Sequence, residues 1–236
     1  MEPAMSETAE AKTWEPLTLL ERRVLGVLVE KAKTTPEAYP MSLNGLTTGC
    51  NQKSNRDPVM NVSDDDVEQT LSVLQKKGLI VRITGGRVDR FKHQMYAVWE
   101  VEKVELAILA ELLLRGPQTE GELRGRASRM EPIEDLTALR NQMAPLVQRK
   151  LVVFLGEEGR RGTLITHGFH DPAELARIRA AAPTEDAPPR PTATAAASVE
   201  SRSELADLRR EVEDLKATVR RLEASFNELQ TKLGGL

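Results

Sequence analysis

A single cysteine, Cys50, leaves no partner for an intrachain disulfide, so packing alone must hold the fold. Aromatic residues are almost as scarce, with two Trp, two Tyr and four Phe among 236 residues. A core of Leu, Val, Ile and Ala suits compact helical packing better than a large sandwich or barrel. No apolar run approaches the roughly 18 residues that a membrane-spanning helix needs, so no membrane partner is expected. Residues 1–15 lack an apolar leader segment and are expected to be disordered, and the protein is expected to be cytoplasmic. Excess charge of one sign is missing too. The net charge is −3, with 13 basic against 14 acidic side chains in residues 1–100 and 12 against 12 in residues 101–180. Any contact with nucleic acid must therefore rest on a local patch.

What is present is helical punctuation. Thr18 and Glu21 have the spacing of a capping box, and Val24, Leu25, Leu28 and Val29 follow as an apolar stripe. Ser42 caps a short second helix carrying Leu43, Leu46 and Cys50. Ser63 and Asp66 open a third with Val67, Leu71 and Leu74, which ends at Gly78. The period then changes: Leu79 to Thr84 and Arg87 to Val98 are rich in β-formers around Gly85-Gly86, the pattern of a hairpin. Three helices followed by a hairpin is the order of a winged helix.

The order recurs. Val104, Ile108, Leu109, Leu112 and Leu113 mark a first helix, and Thr119 with Glu122 caps a second carrying Leu123 and Ala127. Leu136, Leu139, Met143 and Leu146 mark a third, in which Pro145 should introduce a kink. Leu151 to Leu155 and Thr163 to Phe169 flank a second hairpin turn. Core positions stay in phase between the copies while the length differences fall in loops, where insertions are tolerated.

Residues 181–202, rich in Pro, Ala and Thr, read as a linker. Beyond it, Leu205, Leu208, Val212, Leu215, Val219, Leu222, Phe226, Leu229 and Leu233 alternate in steps of three and four, a coiled coil over 203–233. Val at a positions and Leu at d favour two parallel strands. The competing arrangement is a lone amphipathic helix folded back on the body.

The segments Thr34 to Pro40, Ser42 to Gly45, Cys50 to Met60 and Leu113 to Thr119 resemble the YceH-like family of uncharacterised bacterial proteins. The resemblance covers roughly Leu17 to Phe169. It implies tandem winged-helix domains and brings no activity, ligand or catalytic residue.

Candidate chemistry is sparse. The first hairpin carries Arg82, Arg87, Arg90, Lys92 and His93 against one acid, Asp89. Such a wing can lie on a DNA backbone, where each neutralised phosphate releases a counterion; the alternative is a solvated hairpin whose charges discourage edge pairing. Ser63-Asp64-Asp65-Asp66 suits a helix N-terminus but would repel phosphate there. The second copy offers Arg140, Asn141 and Gln142 in its third helix, with Arg124, Arg126 and Arg129 nearby in sequence and Arg160 and Arg161 at the hairpin tip. These include residue types that read base edges.

The loop Asn51 to Met60 exposes Asn51, Gln52, Lys53, Asn55 and Arg56 to a partner or ligand, or else uses them to close turns. Cys50 replaces Ala127 of the other copy and reads as a small core residue. His167 and His170 lie beside Asp171 with no further histidine or cysteine to complete a metal set.

The expectation is therefore a mainly α protein with small β-hairpins (α+β). Winged-helix domains span 16–99 and 100–180, followed by the linker and the dimerising coiled coil. Its expected function is that of a homodimeric, non-enzymatic, cofactor-free DNA-binding protein of transcription-regulator type that contacts double-stranded DNA. A protein-interaction scaffold is the competing class.

Overall fold

Thr18 and Ser63 both close the reciprocal capping boxes that their spacing predicts, and the helices begin there. The computed structural model describes residues 14–182, so the expected coiled coil at 203–233 and nearly all of the linker lie outside the described residues. The chain runs α1 (Leu19–Thr34), β1 (Met41–Ser42), α2 (Leu43–Cys50), α3 (Asp64–Lys76), β2 (Ile80–Ile83), β3 (Arg90–His93) and α4 (Met95–Val98). It continues with α5 (Lys103–Arg115), β4 (Gln118–Thr119), α6 (Glu120–Ala127), α7 (Leu136–Gln148), β5 (Val152–Phe154), β6 (Leu164–His167) and α8 (Pro172–Ala181). Two small antiparallel sheets have the strand orders β1-β3-β2 and β4-β6-β5.

The internal repeat is thus visible in topology as well as in phase. Leu46 and Leu123 each occupy the fourth position of an eight-residue helix, and both are fully buried. Cys50 and Ala127 are likewise equivalent and buried. The two-residue strands β1 and β4 stand immediately before the capping residues' helices and supply the third strand of each sheet.

One expectation needs correction, and two features were not foreseen. The segment Arg87 to Val98 is not one strand: β3 ends at His93, and Met95–Val98 turns into α4. Met95 and Trp99, four apart, are buried together while Ala97 is exposed, a helical division of faces rather than a strand's alternation. The first helix of each repeat is not amphipathic. Every residue from Glu21 to Val29 and from Glu105 to Leu114 is buried, because α1 and α5 pack on each other as well as on their own repeats. A Cβ on Gly26 would stand 2.7 Å from Leu114 Cγ, so the absence of a side chain there sets how closely these helices approach. Finally, α8 follows the second hairpin as a further element that no periodic stripe announced; none of its residues is buried. α7 runs through Pro145 to Gln148, where Arg149 N–H donates to the Pro145 carbonyl.

Candidate nucleic-acid interface

The β2–β3 hairpin is antiparallel, with Ile83 opposite Arg90 and Val81 opposite Lys92. Opposed residues share a face, so Arg90 and Lys92 stand on the same side as the exposed Ile83. Arg87 and Val88 project at the tip, where Gly85 takes a φ of 100°. Asp89 receives the Arg82 guanidinium through Nε at 2.7 Å and through Nη2. Arg90 donates to the Pro40 carbonyl at 2.7 Å, which aims its stem without neutralising it.

His93 adds no charge to this surface. Burial, with Lys33 nearby, pushes its imidazole down to about 4, and the ring packs between Tyr39 and Tyr96.

The other candidate cations are differently placed. Arg140 gives Nε at 3.0 Å and Nη2 at 2.6 Å to Glu120 of the preceding helix. Arg124 donates to the carbonyls of Ile133 and Glu134, and Arg126 to Gln118 and Glu122. Arg129 reaches Asn55 at 3.3 Å. Asn141 is exposed and Gln142 half-buried. Arg160 and Arg161 share the second hairpin tip with Glu157 and Glu158, all exposed. On α3 the exposed positions include Asp64, Asp65 and Glu68. Asp66 caps Ser63, and that bonding holds its carboxyl below the usual range.

The loop after α2 is built inward. Asn51 closes its base by accepting from Val62 N–H and donating to Val62 O, both at 2.8 Å. Arg56 has a side chain shielded from solvent and uses all its nitrogens: Nε to Gly49 O at 3.0 Å, Nη1 to Asn55 O, Nη2 to Gln52, and both Nη atoms to Glu30. Asp57 N–H donates to Leu114 O at 3.0 Å, which ties the loop to α5. Of the loop's candidates, Lys53 and Asn55 remain exposed.

Sequence reasoning missed a second polar cluster, between α1 and the end of β6. Arg22, buried, forms a bidentate pair with Glu174 of α8 and donates to His170 Nδ1 at 2.7 Å. A guanidinium only donates, so that nitrogen carries the lone pair and the proton sits on Nε2, facing Thr166 Oγ1 at 2.8 Å. Burial lowers both His170 and His167, whose rings stack at 4.0 Å. Burial works against ionisation of Glu174, but the Arg22 guanidinium outweighs it and holds its carboxyl low. The signal that marked this cluster was the run Glu21-Arg22-Arg23 placed directly before the apolar stretch Val24 to Val29 of α1.

Residues 17–161 match the family described as "Protein of unknown function, DUF480". A UPF0502 protein of Rhodopirellula baltica is 47% identical over 172 residues, covering 72% of this chain and 71% of that protein. One from Geobacter sulfurreducens is 45% identical over 172 residues, covering 71% and 78%. One from Pseudomonas fluorescens is 38% identical over 179 residues, covering 75% and 83%. The family match covers the first repeat, the second as far as its hairpin turn, and the loop and helix-end segments on which the resemblance to the YceH-like proteins rested, and the chain belongs to the DUF480/UPF0502 family of bacterial proteins.

Proposed function

We propose that the two repeats are tandem winged helices and that the chain is a non-enzymatic, homodimeric DNA-binding protein of transcription-regulator type, dimerised through 203–233. In this reading the β2–β3 hairpin is the wing and lies along the phosphate backbone. The observation that carries it is the exposed trio Arg87, Arg90 and Lys92, left over after Asp89 has taken Arg82. Base reading from α7 finds less support, because Arg140 already gives its fork to Glu120.

Fluorescence anisotropy with random-sequence duplex DNA at two salt concentrations tests the reading. Replacing Arg87, Arg90 and Lys92 by Ala should weaken binding to every sequence and flatten the salt dependence by up to about three counterions for each hairpin laid on the duplex. Binding with an unchanged slope refutes wing contact. A second reading, a protein-interaction scaffold, is favoured by the acidic exposed face of α3, which would repel phosphate where a recognition helix enters the groove. No DNA binding at low salt would select it.

A further inference from the structure

The Arg22 cluster borders a cavity of about 180 Å³ between the repeats. Its walls come from α1, the loop after α2, the end of α5, the end of β6 and α8, so it forms only where both copies meet. Leu19, Pro58, Leu113 and Ile178 contribute its apolar lining. Arg22, Arg115, Glu174, Asp57 and the two neutral histidines contribute its polar lining. An engineered apolar cavity of roughly 150 Å³ holds benzene, so this volume suits a ligand of similar size.

The charges have an unusual distribution. The Arg22 side chain is 5% exposed, and its Nε is buried with no hydrogen-bond partner among the described residues. Its counter-ion, Glu174, is 38% exposed and arrives on α8, a helix with no buried residue. A buried guanidinium is strongly unfavourable without an anion, yet here the anion is held by a weakly anchored element. A fork of this geometry accepts any carboxylate in the same way.

We propose that this cavity is a binding site for a small aliphatic monocarboxylate, and that Glu174 occupies the carboxylate position in its absence. The ligand's carboxylate takes the Arg22 fork and its tail lies against Leu19, Leu113 and Ile178. Glu174 is displaced, and α8 loses its ion pair to the body. This site stands apart from the hairpin and does not depend on nucleic-acid binding.

Calorimetric titration of the full chain with 3-methylbutanoate, with acetate and 3-methylbutanol as controls, tests the site. Glu174→Ala removes the internal competitor and should tighten 3-methylbutanoate binding by about tenfold, as expected when an occluded site is freed. Ile178→Trp fills the cavity and should abolish it. The alcohol should not bind, and acetate should bind more weakly. The proposal is overturned if neither parent nor Glu174→Ala shows saturable binding of 3-methylbutanoate. It is equally overturned if the alcohol binds as well as the acid, or if Ile178→Trp binds unchanged.

Discussion

Replacing Arg56 should destabilise the fold more than any exposed arginine of the chain, and the structure sets the size of the effect. The side chain is fully shielded from water, its Glu30 partner is 17% exposed, and its nitrogens serve Gly49, Asn55, Gln52 and Glu30. Summing charged hydrogen bonds at about 1.5–3 kcal/mol each would overshoot, because one guanidinium makes them all and the terms are not additive. Removing one partner of a buried ion pair typically costs about 3–5 kcal/mol, since the remaining charge is left without its counter-ion. That range is the expectation for Arg56→Ala. At roughly 2–4 °C per kcal/mol for a body of this size, the melting temperature should fall by about 6–20 °C.

Arg56→Lys keeps the charge but cannot reproduce the fork, and should lose about 2–3 kcal/mol. A double replacement, Arg56→Leu with Glu30→Leu, removes both charges and should regain at least about half of the loss. Urea unfolding followed by far-UV circular dichroism measures all three. If Arg56→Ala loses less than about 1 kcal/mol, or if the double variant is worse than Arg56→Ala, the ion pair does not anchor the loop and the reasoning fails.

Other predictions rest on single contacts. A Cβ at Gly168 would lie 1.8 Å from the Lys150 carbonyl oxygen, whereas one at Gly125 within α6 meets nothing inside 4 Å. Gly168→Ala should therefore cost about 3 kcal/mol or more through forced backbone movement, and Gly125→Ala should gain up to about 1 kcal/mol from helix propensity; equal melting temperatures for the two variants would contradict this. All three histidines of the chain, His93, His167 and His170, are lowered by burial. Unfolded imidazoles take up protons near pH 6.5 while the folded ones stay neutral, so stability is full above that pH and falls as pH drops toward the folded values. For His93 alone, lowered to about 4, the loss between pH 7.5 and 5 should be about 2 kcal/mol. His93→Phe should remove that part, and an identical pH dependence in the variant counts against it.

What the sequence made legible was local. Capping pairs such as Thr18 with Glu21 and stripes such as Val67, Leu71 and Leu74 are set by spacing alone, and they recur where expected. β1 and β4, two residues each, are too short for a period to register. The all-round burial of α1 was hidden because the helix that covers its second face, α5, begins at Lys103, far along the chain. Arg22 and Arg23 carried no readable role, and Arg56 read as an exposed partner-loop or turn residue, for the same reason. A charge in an apolar stretch reads as a solvated edge until its partner is known, and these partners, including Glu174, Cys50 O and Glu30, come from other elements. The hairpin candidates were found because exposed charge needs no partner to be recognised.

The division of charge between the repeats decides what kind of DNA binding is open to this chain. In the second repeat, Arg126 and Arg140 are paired with the carboxylates of Glu122 and Glu120 of their own repeat. In the first, α3 presents carboxylates, and Arg87, Arg90 and Lys92 stay in solvent on the hairpin. Three phosphate contacts carry affinity but no sequence information. Binding should therefore be sequence-tolerant, with a salt slope near 0.9 per contact, or about 2.7 for one hairpin. If a dimer lays two hairpins on one duplex, the slope of the full chain should approach about 5. A measured slope near 5 that falls to near zero in the triple-alanine variant is the expected result. A slope of that size surviving the triple replacement would place the contacts outside the hairpin, and strong discrimination between duplex sequences would require a base-reading element that these side chains do not provide.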